Sequence, residues 1–165
     1  MKRAFYLIAV LTVLLQSCKG QNMDIDNVIE KYSNTDFDNL KGLSIYFRSK
    51  GHQRNTSIYF VNEFKGSCSP YAVEFNDNDK TVVEIKNHLV LSSCGKDYLS
   101  KEQIETALHY FIGYKLCLVQ VDTEGNVYIN PDKQELPTLL RKSPNSTPKD
   151  LHLFKLYKED WYVRK

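Results

Sequence analysis

Neither sign of charge dominates this chain, which therefore lacks the charge surplus that several binding classes need. Its 165 residues contain 22 Lys and Arg against 20 Asp and Glu, a formal net charge of +2. Lys2 and Arg3 lie in a segment that we expect to be removed, so the remaining chain is neutral. Neutrality excludes a strongly basic nucleic-acid surface and a dense acidic tail. We therefore expect no nucleic-acid partner.

Motifs of the common enzyme and metal classes are also missing. The sequence has no Gly-rich phosphate loop, no Gly-x-Ser-x-Gly turn, no His-Glu-x-x-His pair and no Cys/His spacing typical of zinc. Asp77 and Asp79 resemble the start of a calcium loop, but the sixth position is Val82 instead of Gly and the twelfth is His88 instead of Glu. The sequence therefore predicts no catalytic residue, no metal site and no cofactor.

A hydrophobic run is present at the start of the chain, but it is short. Lys2 and Arg3 precede residues 4–15, twelve uncharged and mostly apolar residues. A membrane-spanning helix needs about 20 such residues. A shorter run after a basic start is typical of a secretory signal peptide. We therefore predict that residues 1–17 are a removed signal peptide.

The run ends in Leu15-Gln16-Ser17-Cys18, which resembles the lipobox of bacterial lipoproteins. The resemblance implies a diacylglyceryl group on the Cys18 thiol, cleavage before Cys18 and frequent acylation of the new amine. Two or three acyl chains would hold the protein firmly to a membrane without spanning it. Residues 18–23 then form a lipidated tether.

The residues after Cys18 give expectations about location. The Ser-Cys-Lys junction is similar to that of small uncharacterised lipoproteins of Bacteroidota-type bacteria. Surface-exported members of that group carry an acidic cluster just after the Cys, whereas the first acid here is Asp24. This difference favours the periplasmic side. Lys19 to Met23 reach about 17 Å when extended, so we expect the folded domain to lie close to the bilayer.

Residues 24–165 are predicted to form a single α+β domain. Apolar residues at helical spacing predict a helix at 24–34, and a capping box, Ser100-x-x-Gln103, predicts the start of another. Alternating segments predict a mostly antiparallel sheet of seven or eight short strands. These segments are 43–48, 57–60, 71–75, 81–86, 116–122, 126–130, 151–157 and 161–164.

Three cysteines remain if Cys18 is lipidated, so at most one internal bridge is expected. Cys117 alternates with Val119 in an apolar strand, which predicts a buried side chain. Cys68 and Cys94 both lie in turn-like contexts, and an exported protein permits their pairing. We predict a Cys68–Cys94 bridge, which would contribute on the order of 3 kcal/mol. The alternative is that both remain thiols.

Tyrosines supply the candidate binding surface. If Ile45, Ile58, Val127 and Val163 face the core, strand alternation sends the next residue or the previous one to the opposite face. Tyr and Arg are favoured in binding interfaces, and Arg48 and Arg164 lie in the same strands. The predicted binding residues are Tyr46, Tyr59, Tyr128 and Tyr162.

Several functions remain open at this point. The first hypothesis is a non-enzymatic, periplasm-facing lipoprotein that binds a protein partner. The second is an immunity lipoprotein that blocks a toxin from neighbouring cells. An enzyme would need Cys68, Cys94 or a His brought beside a carboxylate, and a small-ligand protein would need a deep apolar pocket. The cations around Gly51 could also bind an anion or lipid headgroup, although a solvated loop is the simpler interpretation.

Overall fold

The computed structural model describes residues 24–165, which form one nine-stranded sheet with α-helices packed against it. The predictions for the signal peptide, Cys18 and the tether lie outside the described residues. The strand order is β4-β3-β2-β1-β5-β6-β7-β9-β8, and all neighbouring pairs are antiparallel. No helix among residues 24–165 is long and apolar enough to cross a membrane.

The elements follow the chain in this order. The strands are β1 (Leu43–Lys50), β2 (Thr56–Glu63), β3 (Tyr71–Asn76), β4 (Thr81–Lys86), β5 (Leu118–Val121), β6 (Val127–Asn130), β7 (Leu139–Arg141), β8 (Phe154–Lys158) and β9 (Trp161–Arg164). The α-helices are α1 (Ile25–Tyr32), α2 (His88–Cys94) and α3 (Lys101–Tyr114), with short 3₁₀ turns at Asp38–Leu40 and Leu151–Leu153.

Local sequence explains the buried face of α1 and both ends of α3. In α1 the side chains of Val28, Ile29 and Tyr32 recur on one face and are buried. The predicted capping box of α3 is present, because Ser100 accepts from the Gln103 N–H and the Gln103 side chain accepts from the Ser100 N–H. Lys115 ends α3 in the left-handed conformation, with a φ of 58°.

The buried residues of all three α-helices belong to one core on one face of the sheet. Ile29 of α1, Val90 of α2 and Phe111 of α3 pack there with sheet residues such as Ile45 and Ile129. A second, smaller cluster forms on the opposite face. Its members are Tyr128, Leu140 and Phe154, with Phe64, Leu151 and Tyr162 packed against them. We call the side of the sheet away from the α-helices the open face.

Strand and helix counts differ from those expected. The α+β class and the antiparallel sheet are confirmed, but within residues 24–165 the sheet has nine strands instead of seven or eight, and there are three α-helices instead of two. The additional strand is β7, which has only three residues and so shows no measurable alternation. The additional helix is α2, seven residues that end at Gly95 with a φ of 71°. Such short elements depend on tertiary packing more than on local pattern.

The predicted pairing of Cys68 with Cys94 is confirmed. The two Cα atoms are 5.7 Å apart, and the sulfurs are at disulfide distance. The bridge joins the loop before β3 to the last residue of α2. Ser69 N–H also donates to the Ser93 hydroxyl at 2.9 Å, so a disulfide and a hydrogen bond both join the two segments. Cys117 is fully buried, as its strand context predicts.

Candidate functional site

Tyr46 lies on the open face of the sheet and meets an aromatic neighbour there. Its ring contacts Phe60, directly opposite on β2, edge to face, with 5.5 Å between centroids. The Arg48 guanidinium lies 5.8 Å from the centre of the Phe60 ring. Both rings are half-buried and Arg48 is exposed. We call Tyr46, Arg48 and Phe60 the β1–β2 patch.

The surroundings of Tyr46 raise the pKa of its hydroxyl. Partial burial raises the pKa of Tyr46, and the positive charge of Arg48 opposes that rise. The hydroxyl therefore stays protonated near neutral pH, where it can donate or accept a hydrogen bond. Arg48 forms no ion pair with a carboxylate among residues 24–165. The patch thus offers two half-exposed aromatic rings beside a cation without an ion-pair partner in the described part of the chain.

Tyr59 lies on the wrong side for the predicted binding surface. It packs against the main core, where its ring contacts Phe75 and Phe111, and burial raises its pKa to about 12. The expectation placed Ile58 inward, but Val61 is the fully buried residue of β2 and Tyr59 shares its face. Residues 58–61 are apolar or aromatic on both faces, so alternation alone could not orient this strand.

Tyr128 lies on the expected face but is buried in the second cluster. Its side chain is 1% exposed, and its ring stacks on Phe64 with 5.4 Å between centroids. Its hydroxyl donates to Asp150 Oδ1 at 2.8 Å, and Lys65 pairs with the other oxygen of that carboxylate at 3.1 Å. Burial, with Asp150 adding to it, raises the pKa of Tyr128 well above its usual range. Tyr128 is therefore a structural residue of this cluster.

Tyr162 also lies on the open face, but far from Tyr46. It is opposite Leu140 on one side and Leu156 on the other, and it is half-buried. Four inter-strand spacings separate β1 from β9, which is about 19 Å. The expectation of one four-tyrosine surface is therefore wrong. Tyr46 and Tyr162 lie at separate places on the open face, and of the four predicted tyrosines only these two lie on that face and are partly exposed.

The basic loop between β1 and β2 is held by a buried carboxylate. Glu74 Oε1 accepts from Thr56 Oγ1 at 2.6 Å and from the N–H groups of His52 and Gln53 at 3.1 and 3.3 Å. The Thr56 hydroxyl bond, followed by these backbone bonds, lowers the pKa of Glu74. Gly51 lies so close to Thr56 and Glu74 that a Cβ atom would not fit there. The loop is therefore a fixed turn, and sequence reasoning missed its anchor.

Two cavities of about 330 Å³ open on the surface of the domain. The first is beside Arg141, whose Nη1 donates to the carbonyls of Tyr32, Ser33 and Thr35 at 2.8, 3.0 and 3.0 Å. The second borders Phe64, Lys65 and Tyr128, whose polar groups already bond within the cluster. In both cavities the principal polar side chains serve the fold.

The described side chains place limits on chemistry. No group of three or more His, Cys, Asp or Glu within residues 24–165 is arranged to hold a metal ion. Cys68 and Cys94 are consumed by their bridge and do not form the thiol site that was one of the enzyme alternatives. The strongest candidate site left is the β1–β2 patch. Comparison with protein-family models, with curated proteins and with solved structures found no match for this chain.

Proposed function

We propose that the mature protein is held to a membrane by lipid on Cys18, faces the periplasm and acts as a non-enzymatic protein-interaction module. The lipobox resemblance of Leu15 to Cys18 supports the anchor. The position of the β1–β2 patch on the open face supports the interaction. The partner would dock on Tyr46, Phe60 and Arg48, with Tyr162 as a separate outlying contact.

One observation carries this proposal. The buried residues of α1, α2 and α3 pack into the main core on one side of the sheet, while Tyr46 and Phe60 remain half-exposed on the other. Rigid aromatic side chains provide contact area at low conformational cost, and Arg is enriched among residues that dominate binding energy. Because Arg48 has no carboxylate partner in the described part of the chain, a partner's acidic group can pair with it.

The anchor is tested on the full chain expressed in a bacterium with a lipoprotein pathway. Intact-mass analysis of detergent-extracted protein should give a chain beginning at Cys18 with added diacylglyceryl mass. Cys18→Ala should remove that mass and release the protein from the membrane fraction. An unlipidated product from the unaltered chain, or no change in Cys18→Ala, would refute the anchor.

The interaction is tested by placing a photoreactive benzoylphenylalanine at position 46 in living cells. Tyr110 provides the matched control, because it is an exposed tyrosine, 42% accessible, on α3. A specific adduct should form from position 46, not from position 110, and Arg48→Ser should abolish it. Once the adduct identifies the partner, Tyr46→Ser should weaken its binding by about 30-fold, the effect of a hot-spot residue. A captured secreted toxin would make the module an immunity protein. Equal adducts from both positions, or none from position 46, would contradict the proposal.

A further inference from the structure

The last strand in the sheet order, β8, forms an unusually exposed edge. All four residues from Lys155 to Lys158 are exposed. Leu153, Leu156 and Tyr157 are 39%, 57% and 48% accessible, so three large hydrophobic side chains meet solvent within five residues. Lysines are a common protection of sheet edges, and here Lys155 and Lys158 flank the exposed Leu156 and Tyr157. An edge with this composition has the character of an interfacial segment.

The polypeptide enters the domain beside this edge. Asp24 is the first described residue, and its carbonyl accepts from Val28 N–H at 3.1 Å in the first turn of α1. At the second residue of the helix, Asp26 Oδ2 accepts from the Tyr157 hydroxyl at 3.2 Å. The point at which the predicted tether joins the domain is therefore fixed next to β8. A tether with a reach of about 17 Å keeps that edge near the lipid anchor.

The strand at this edge carries two exposed lysines, Lys155 and Lys158, that can contact an anionic surface. Residues 149–165 contain five Lys and Arg against three Asp and Glu. One of the three acids, Asp150, is already paired with Lys65. The remaining two, Glu159 and Asp160, lie at the β8–β9 turn, and Asp24 and Asp26 lie on the helix side. Within residues 24–165, Lys155 and Lys158 have no carboxylate partner, so their charge is available.

The opposite edge of the sheet provides the comparison. Val83 on β4 and Leu89 and Leu91 on α2 are 41%, 47% and 43% accessible, so this edge is also partly apolar. Residues 79–97, however, carry three Lys and three Asp and Glu, a balance of zero. Eight inter-strand spacings, about 38 Å, separate the two edges. Apolar exposure does not distinguish the edges, and neither does charge, because counting Asp24 and Asp26 brings the β8 edge to zero as well. The position of the predicted tether, beside Tyr157, does distinguish them.

We infer that the β8 edge rests on the anionic headgroups of the bilayer that holds the anchor, with Leu153, Leu156 and Tyr157 at the interface. This inference rests on the lipid anchor of the proposed function. A basic patch strengthens the membrane attachment of an acyl chain, and each lysine near an anionic surface contributes about fivefold in partitioning. Tyrosine is enriched at the headgroup level of membranes. The anchor would therefore set orientation as well as location.

The test uses the natively processed, full-length protein in vesicles of phosphatidylcholine and phosphatidylglycerol with brominated acyl chains. Leu156→Trp reports on the β8 edge and Val83→Trp on the opposite edge. The native Trp161 is fully buried and gives the same background in both. Leu156→Trp emission should fall about twofold or more relative to unbrominated vesicles, since interfacial side chains reach about 5–10 Å into the boundary. Val83→Trp emission should stay unchanged.

The double variant Lys155→Gln with Lys158→Gln should reduce the quenching of the tryptophan at position 156. The control double variant, Lys80→Gln with Lys96→Gln, should not reduce it.

Each outcome has one meaning. A protein without diacylglyceryl mass that fails to float with the vesicles refutes the anchor, and this inference falls with it. If the lipidated protein floats but the tryptophan at position 156 is not quenched, the contact of the β8 edge with the membrane is refuted and the anchor stands. Quenching at position 83 alone, or equally at both positions, also overturns it. Unchanged melting temperatures of both tryptophan variants confirm that the reporters have not altered the fold.

Discussion

The ring of Tyr59 meets the ring of Phe111 edge to face, with 5.7 Å between their centroids, beneath helix α3. Tyr46 lies on the adjacent strand β1, yet its ring projects to the other side of the sheet and meets Phe60. Two tyrosines that look equivalent in sequence therefore have different roles. One closes the core, and the other lies in the proposed docking surface.

This difference predicts that the same substitution destabilises the protein more at position 59 than at position 46. Tyr59→Ser removes a ring that contacts Phe47, Phe75 and Phe111, and should lower the free energy of unfolding by about 3 kcal/mol. Tyr46→Ser removes one half-exposed ring and should cost about 1 kcal/mol or less. Urea unfolding of both variants measures the difference. Equal losses would contradict the assignment of Tyr59 to the core.

Sequence patterns predicted the elements whose residues repeat clearly over several positions. The helical spacing of Val28, Ile29 and Tyr32 and the capping box at Ser100 both correspond to real helices. Sequence patterns did not predict the short elements. The three residues of β7 and the seven of α2 depend on packing against neighbouring elements more than on local pattern. The orientation of β2 failed for a different reason. Its two faces are similarly apolar, and only pairing with Val73 on β3 determines which face is inward.

The candidate site could be predicted only in part. Tyr46 and Tyr162 were expected on the open face and lie there, but nothing in the sequence indicates that Phe64 and Leu151 cover Tyr128. The buried position of the Glu74 carboxylate could not be predicted either, since a Glu in a strand is normally expected to face solvent. Contacts between segments far apart in the chain decide both features. Local periodicity carries no information about them.

The Cys68–Cys94 bridge should contribute measurably to stability. It closes a loop with a sequence separation of 26, and the chain-entropy relation gives about 3.5 kcal/mol for a loop of that size. Cys68→Ser with Cys94→Ser should lower the free energy of unfolding by roughly that amount, measured by urea titration. Ser92→Ala, an exposed position of α2, is the control and should have little effect. A double variant as stable as the unaltered protein would show that the bridge does not form in solution.

Glu74 should make stability depend on pH. Its pKa is lowered in the folded protein, first by the Thr56 hydroxyl bond, so folding favours the carboxylate. The resulting stabilisation is complete above the ordinary pKa of 4.5 and is lost as the pH falls through the lowered value. Glu74→Gln removes the charge at every pH. The variant should therefore be less stable than the unaltered protein at pH 7, and the gap should narrow below about pH 4.5.

The control for Glu74 is its cross-strand neighbour. Glu84 is directly opposite on β4, is exposed and bridges Lys86 at 3.2 Å. Glu84→Gln should change stability by less than about 1 kcal/mol, because exposed ion pairs contribute little. Urea unfolding of the three proteins from pH 7 to pH 3 makes the comparison. A constant gap between Glu74→Gln and the unaltered protein over that range would exclude the proposed role of the charge.

Arg141 should be essential for attaching α1 to the sheet. Its Nη1 lies within 3.0 Å of the carbonyl oxygens of Tyr32, Ser33 and Thr35, and its guanidinium lies 5.2 Å from the Phe37 ring. Helix ends leave carbonyls without partners, and a charged donor satisfies them more strongly than water-exposed bonds would. Arg141→Met keeps most of the packing but removes every donor, and should cost about 3 kcal/mol of unfolding free energy. Arg141→Lys should recover only part of that loss, because an ammonium group cannot reproduce the planar guanidinium over Phe37. Arg54→Met, in the exposed β1–β2 loop, is the matched control and should be nearly neutral.

Hydrogen exchange should show faster exchange in α1 of Arg141→Met and unchanged exchange in α3. Because α1 carries the junction with the predicted tether, loosening it would also release the β8 edge from a fixed position relative to the anchor, so Arg141→Met should reduce the membrane quenching of Leu156→Trp as well.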